Sequence, residues 1–501
     1  MKSLGKWVGA AALALVVALG APKPLVAQEA QLIVAQSAEP VGLDAARNNL
    51  QHSLNVAFNI QDRLFDPLED GGVGPGLAES WEFTSNTTLK VKLREGLKFH
   101  NGEDVDAEAV KFSLERLLDP AIASPHAARM QQITGVRIID PLTVEFTTSE
   151  PFAPILHLMS IYLPIVPPKA TAGTDPDTFN RHPIGAGPYV FEKWDRGGDI
   201  VLKAFDGYWA GKPAYDRLVF RTIPEESARV AALLTGEVGL VEGISRNSQD
   251  MIEKSGRGSL TNSMGIMNYI GLNTYEKPFD DQRVRQALNH GINRELINKA
   301  LFGEKAILTA GPLSPRTFGA DLTLQPYAYD MEKAKALLAE AGYPEGFSTT
   351  LSYPTDMVQI QEQAQVIAAD LAKIGVKVEL RPLDRSVMVE QYRARKQDMY
   401  VYWWDDNPEP DRYAYTLFHS NSRDYYYKNP ETDALLAKGR SALDRAEREK
   451  IYQQFDRKLY EEAPWVYLYV IPVAYGVAPD VQYEGRRDGF LFMRFASPKN
   501  G

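Results

Sequence analysis

Residues 399–413 read Met-Tyr-Val-Tyr-Trp-Trp-Asp-Asp-Asn-Pro-Glu-Pro-Asp-Arg-Tyr. From Asp398 to Trp404 the pattern alternates like a strand, with Met399, Val401 and Trp403 on one face and Tyr400, Tyr402 and Trp404 on the other. The strand is expected to stop at Asp405-Asp406-Asn407, and Pro408 and Pro410 stiffen the turn beyond it. Two Trp and two carboxylates are unusual at the end of a pure core strand. In open α/β sheets, ligands sit beyond the carboxyl ends of strands. The stretch therefore reads as a ligand floor, with flat aromatic walls and one carboxylate for a cation. A buried aromatic strand ending in a solvated acidic turn explains the stretch alone equally well.

The sequence just upstream favours the floor. Phe347, Thr349, Leu351 and Tyr353 alternate as a strand. Ile360, Ala364, Ile367, Leu371 and Ile374 then mark one helical face, and Gly375 ends that helix. Val376, Val378 and Leu380 alternate again. Strand, helix, strand makes a βαβ unit and a parallel pair. A second helix near 386–395 leads into the strand at Asp398. Downstream, a helix from about Ala446 to Glu462 turns Ile451, Phe455 and Leu459 inward, and Val466–Val470 forms a strand.

The chain begins with an address. Lys2 and Lys6 precede an apolar run, Val8 to Ala21, which is too short to span a bilayer and fits a secretory leader cleaved near Ala27. Its removal takes three Lys and no acid, so the formal charge moves from −10 to −13. That balance, with no basic stripe, argues against a nucleic-acid partner. The 501 residues are enough for two or three domains, and none is Cys. Thiolate metal sites, disulfides and an N-terminal lipid anchor on Cys are therefore excluded. The seven His are dispersed, so no metal site and no cofactor is expected.

Several blocks then converge on one family. Leu77-Ala78-Glu79-Ser80-Trp81-Glu82 is followed by Leu93-Arg94-Glu95-Gly96-Leu97-Lys98-Phe99-His100-Asn101-Gly102 and by Ala107 through Ser113. Pro183 through Tyr189, Tyr208-Trp209 and Phe279 through Leu288 come next in order. This series resembles the family 5 extracellular solute-binding proteins, the dipeptide-, oligopeptide-, glutathione- and nickel-binding proteins of ABC importers. Local physics agrees with the blocks. Asp104 or Asp106 can cap a helix that buries Val110, Leu114, Leu117 and Leu118. Asn293 can cap one that buries Leu296, Ile297, Ala300 and Leu301. Asp330 can cap another.

The resemblance implies an α/β, two-lobed periplasmic-binding-protein fold of class II, the large three-domain peptide-binding type, with the ligand cleft between the lobes. Residues 28–70, 188–272 and 473–501 would form the main domain of lobe 1, residues 71–187 an insertion on it, and 273–472 lobe 2. In peptide-binding members an Asp three residues after the Trp of the floor strand holds the ligand ammonium, and by position that is Asp406, with Asp405 as its rival. Tyr402, Trp403 and Trp404 would line the floor, and the strand backbone would pair with the ligand. Asn268 and Tyr269 occupy a segment that reaches the ligand in relatives, with core packing an equal reading. Arg47, Asn48, Asn49 and His52 would lie in a loop facing the cleft. Dipeptide-binding relatives place an Arg before the helix at 356–373, where this chain has Tyr353-Pro354-Thr355-Asp356. Arg385 or Arg423 could take that role.

The function implied is peptide capture in the periplasm (dipeptide, oligopeptide or glutathione-like) and delivery to a permease with its ATPase subunits, by a monomer that does not span the membrane. A non-peptide solute such as an opine, an oligosaccharide, or nickel or another metal chelate is the alternative. An exported hydrolase fits less well, because no Gly-x-Ser-x-Gly, Cys nucleophile or His-Glu-x-x-His is present. No Walker A motif is present either, so transport energy must come from a partner.

Overall fold

The computed structural model describes residues 29–357, 359–422 and 426–499. The leader read at 1–27, together with Arg423 and Tyr425, lies outside them. The frame of the molecule is one mixed sheet of eleven strands. In spatial order the path runs Lys377–Leu383, Ser348–Pro354, Met399–Asp406, Ser259–Leu272, Trp465–Val477, Leu240–Val241, Gln31–Gln36, Arg217–Thr222, Ile200–Ala204 and Tyr189–Trp194. Ile307–Leu308 adds to Trp465–Val477 off that path.

The βαβ unit forms as the periodicity requires. Ser348–Pro354 and Lys377–Leu383 pair in parallel through the helix Ile360–Ala372, which buries Ile360, Ala364, Ile367 and Leu371. The chain turns back at Gly375, where φ is +86°. A side chain is strained in that left-handed region, which glycine adopts freely.

Two long strands join the halves of the molecule. Ser259–Asn262 pairs with residues 477 down to 474, and Gly265–Gly271 pairs with residues 472 down to 465. The register breaks between Asn262 and Gly265. On one side of the break, Val477 and Gly476 also pair with Leu240–Val241. On the other side, Gly265–Leu272 also pairs with Met399–Asp406. The cores divide in the same way. Leu32, Val34, Leu202, Phe220 and Leu240 pack together in one half. Ile270, Leu288, Ile367 and Val401 form one core of the other half, and a tyrosine-rich core with Tyr400, Tyr413, Phe455 and Trp465 forms its second. A separate four-stranded sheet of residues 78–148 packs its Leu89, Val91 and Phe146 against the helix Ala107–Leu118.

Capping agrees with the sequence. Asp106 accepts from Ala109 N at 3.0 Å, Asn293 from Leu296 N at 2.9 Å and Asp330 from Lys333 N at 2.9 Å. One helix face differs from expectation. Arg294–Phe302 buries Ile297 but leaves Leu296 50% exposed and Ala300 outside. Arg294 is the cause. Its guanidinium donates to the carbonyls of Tyr467, Asn289, Ile292 and Tyr327, so the helix turns its Arg294–Ile297–Asn298 face inward. A fully satisfied buried guanidinium outweighs the burial of one leucine.

Candidate functional site

The Met399–Asp406 strand is paired along its whole length on one edge, from Met399↔Leu272 to Asp406↔Gly265. It therefore continues through Asp405 and Asp406 instead of stopping before them, because Ile266 and Gly265 supply partners. Its other edge is paired only at Met399 and Tyr400, with Leu351 and Ser352. From Val401 to Asp406 no strand among the described residues covers that edge. An uncovered strand edge is a row of free backbone donors and acceptors.

A cavity of about 640 Å³ lies there, lined on the floor side by Tyr402, Trp403, Trp404 and Asp405. Because the cavity meets an edge, residues from both faces of the strand reach it. Tyr402 stacks on Trp403 (centroids 4.7 Å) and on Tyr392 (5.3 Å, 5° between planes). The Arg385 guanidinium sits 4.5 Å from the Trp403 ring centroid and pairs with Asp356 at 2.6 Å. The opposite wall comes from Arg129, Gln131, Gln132, Phe152 and Leu158, and Asp411, Arg412, Thr416 and Arg440 close the end. The two walls touch where Ala153 N donates to Arg440 O at 2.7 Å.

The two neighbouring carboxylates part company. Asp405 lines the cavity and accepts from Arg412 Nη2 at 3.0 Å. Asp406 is covered: Oδ1 accepts from the Ser314 hydroxyl, and Oδ2 has no hydrogen-bond donor among the described residues, with Arg316 Nε at 3.6 Å. Burial pushes the Asp406 pKa up, and Ser314 and Arg316 only partly oppose it. The turn beyond Asp406 is buried, not solvated. Glu409 N donates to Asn407 Oδ1 at 2.9 Å, and Asp411 N to Glu409 Oε1 at 3.0 Å. Burial works to raise Glu409, but the Arg448 guanidinium outweighs it and holds the carboxylate below its ordinary range. Asp411 pairs through both oxygens with Arg440, at 2.8 and 3.1 Å, yet burial still leaves it raised.

Of the residues singled out in the sequence, Tyr402, Trp403, Trp404, Asp405 and Arg385 come together in the cavity. Asn268 lies in the sheet interior, its Nδ2 donating to Ile266 O at 3.0 Å. Tyr269 is buried and stacked on Trp465 at 3.6 Å. Asn49 is exposed, Asn48 is buried against Asp44 and Asn180, and Arg47 pairs with Asp177 at 2.8 Å, and none of the three lines the cavity. Arg129, Arg440 and Phe152 are additions from distant parts of the chain. Arg412 is a further addition, although it lies within residues 399–413 beside the aromatic floor. No group of three or more His, Cys, Asp and Glu among the described residues could hold a metal ion.

Comparison with known proteins bears on this geometry. The model of the bacterial extracellular solute-binding proteins, family 5 (middle), matches residues 72–425. The glutathione-binding protein GsiB of Pectobacterium atrosepticum is 32% identical over 451 residues, which span 87% of this chain and 88% of that protein. The periplasmic binding protein DppA of Helicobacter pylori, in complex with the peptide STSA, superposes with a TM-score of 0.74 at 28% identity, covering 94% of this chain and 99% of that one. AgaA from A. tumefaciens R10, in complex with agropinic acid, gives 0.72 at 29% identity, covering 94% and 99%.

Proposed function

Because the chain belongs to the family 5 bacterial extracellular solute-binding proteins, we propose that it captures a short peptide along the edge of the Met399–Asp406 strand where residues 402–405 line the cavity. Proteins of this family are substrate-binding components of ABC importers and not enzymes. The fold is the two-lobed α/β fold of the periplasmic binding proteins. No helix among the described residues is long and apolar enough to cross a membrane.

The observation that carries the peptide reading is the strand edge without a strand partner among the described residues that meets an aromatic-walled cavity at residues 402–405. A peptide backbone adds to such an edge by strand pairing, which is indifferent to side chains, while Tyr402, Trp403 and Trp404 offer nonspecific flat surface. The ligand ammonium goes to Asp406. In support, this carboxylate keeps one buried oxygen without a hydrogen-bond donor among the described residues, and an incoming cation would restore the ionised form that burial disfavours.

Closure would use the register break at Ser263 and Met264 and the facing Val473, where neither long strand is regularly paired. The division proposed is 28–70, 188–272 and 473–501 as the main part of lobe 1, 71–187 as its insertion, and 273–472 as lobe 2. The break supports the boundary at 473, while the pairing of residues 265–272 with Met399–Asp406 favours moving the other boundary from 272 back to the break. The protein would work as a periplasmic monomer, exported by a leader cleaved near Ala27, and deliver its cargo to a permease with ATPase subunits. The similarity to AgaA favours an opine as the second reading. Mass spectrometry of the solute that co-purifies with the protein, and then calorimetry with that solute, tests the first reading. A bound peptide supports it. A stoichiometric non-peptide solute, with no heat from any peptide, overturns it.

A further inference from the structure

The lining of the cavity has the opposite charge balance to the molecule. The whole chain carries 65 Asp and Glu against 55 Lys and Arg, yet four guanidiniums and two carboxylates line the cavity, and with Asp356, which pairs with Arg385 from just outside it, the guanidiniums are still in excess. Arg440 commits Nε and Nη2 to Asp411, which leaves Nη1 without a hydrogen-bond acceptor among the described residues. Arg412 commits only Nη2, to Asp405, and that pair is half open to solvent, with side-chain exposures of 23% and 40%. Arg129 has no carboxylate in ion-pair range among the described residues. Its contacts are Pro125 O and His126 Nδ1, both at 3.4 Å, and the Tyr162 ring 4.7 Å away. Arg129 and Arg412 belong to different walls, the first on the helix Ala127–Met130 and the second on the helix Asp411–Phe418.

Guanidiniums in this state are suited to holding an anion. Their planar forks match carboxylates with two parallel hydrogen bonds, and stacking on a ring holds the fork in place at little entropic cost. A cavity that sheds its water around them strengthens every such contact, and leaves a costly unpaired charge if the ligand brings no anion. A neutral or cationic peptide would thus be selected against, whatever its backbone offered to the strand edge. The volume, about 640 Å³, suits a ligand of a few residues rather than a long chain.

We infer that the cavity selects short ligands of net negative charge that carry at least two carboxylates, clamped by Arg129 from one wall and Arg412 from the other. This rests on the reading of the cavity as the ligand site, and it adds a charge requirement that a peptide importer need not have. The same two residues would couple recognition to closure, because an anion held by both ties the walls together.

The test uses ligand-stripped protein and calorimetry with three probes: γ-glutamyl-cysteinyl-glycine, trialanine and lysyl-alanyl-alanine. An imino-dicarboxylic opine serves as a fourth. The expected result is a preference of about tenfold or more for the glutathione tripeptide over trialanine at low salt, shrinking as salt is raised. Arg129→Gln and Arg412→Gln should each lower affinity for the anionic tripeptide about tenfold and leave trialanine within about threefold. Thermal melts separate binding loss from misfolding, and Arg129, being exposed, should tolerate the change. Equal binding of trialanine and the anionic tripeptide, or no effect of either variant, overturns the inference and leaves the peptide reading standing. Binding of the opine alone, lost in both variants, supports the charge requirement and overturns the peptide reading. Failure of every anionic probe overturns the inference.

Discussion

Asp405 and Asp406 are consecutive residues of one strand, and the molecule treats them differently. The Asp405 side chain is 40% exposed and shares a cavity wall with the guanidinium it pairs with. The Asp406 side chain is 2% exposed and is enclosed by Ser314 and Arg316. The turn after Asp406 belongs to the enclosed region too: Asn407, Glu409 and Asp411 are all buried. On the enclosed side each charge sits where its loss leaves another charge stranded. On the cavity side Asp405 and Arg412 share a single hydrogen bond of 3.0 Å, and water competes for both partners. The difference teaches how to sort charges in such a site. Enclosed pairs with every oxygen bonded, such as Glu409 and Arg448, hold the floor in place, while a half-open pair, or a carboxylate oxygen without a donor among the described residues such as Asp406 Oδ2, remains available to a ligand.

The largest effect should come from the enclosed side. Glu409 and Arg448 are both nearly solvent-free and joined through two hydrogen bonds. Glu409→Gln leaves the Arg448 charge buried without its counterion, which should cost about 3–5 kcal/mol of stability. Urea unfolding monitored by tryptophan fluorescence measures this. A variant as stable as the parent would show that water reaches Arg448 and that the enclosure is not real.

The next effect depends on pH. Asp456 accepts from Leu313 N at 3.1 Å and from Asp321 N at 3.0 Å, at the two ends of the loop that carries Ser314 and Arg316 to Asp406. Burial pushes its pKa from 3.8 up to about 7. The folded protein then binds the proton more tightly than the unfolded chain. The stability from this group is therefore fully present below about pH 4 and is lost as pH rises through 7. At about 1.4 kcal/mol per pKa unit the full span is on the order of 4 kcal/mol. Urea-derived stabilities of the parent and of Asp456→Asn at pH 4.5 and pH 7.5 should differ in slope, with the variant flatter. Parallel pH profiles would count against it.

Much of the frame was legible in the sequence because it rests on local periodicity. The helix at Ile360, Ala364, Ile367 and Leu371 and its two strands form where their spacing puts them. The strand end was not legible. Asp405 and Asp406 look like a stop signal, and only the long-range partners Ile266 and Gly265 extend the strand through them. Leu296 reads as buried for a similar reason: apolar spacing cannot show that Arg294 has four backbone carbonyls waiting for it. One wall of the cavity was visible, since Tyr402, Trp403, Trp404 and Asp405 are contiguous. Arg129 and Phe152 come from a part of the chain some 250 residues away, and nothing local to either marks it as a cavity wall. Arg412 carries a usable signal, because a cation seven residues after Asp405, just beyond a Pro-stiffened turn, can reach back to it.

Binding separates the two carboxylates more gently than stability does. If the ligand ammonium takes Oδ2 of Asp406, which has no hydrogen-bond donor among the described residues, Asp406→Asn forfeits one charge-assisted hydrogen bond, worth about 1.5–3 kcal/mol, or roughly tenfold to a hundredfold in affinity. Calorimetry with the co-purified solute checks this. Affinity equal to the parent's would remove Asp406 from the site and make it part of the scaffold with Glu409.

The smallest effect has the opposite sign, and it is the sharpest test of the contrast. Asp405 occupies one fork of Arg412. Removing its charge in Asp405→Asn deletes a competitor for that guanidinium and weakens the local negative field. If an anionic ligand uses Arg412, the variant should bind it more tightly. The gain is small, because a half-exposed pair is worth about 1 kcal/mol at most, which is a factor of about five or less. The same substitution should leave trialanine unaffected and thermal stability almost unchanged. The comparison is made by calorimetry at low salt, where screening does not hide so small a gain. Tighter binding in Asp405→Asn beside weaker binding in Asp406→Asn would place two adjacent carboxylates in opposite roles, one opposing the ligand's anion and one receiving its cation. A loss in both would mean that the ammonium is shared between them, and that Arg412 turns toward the ligand only when Asp405 stays charged.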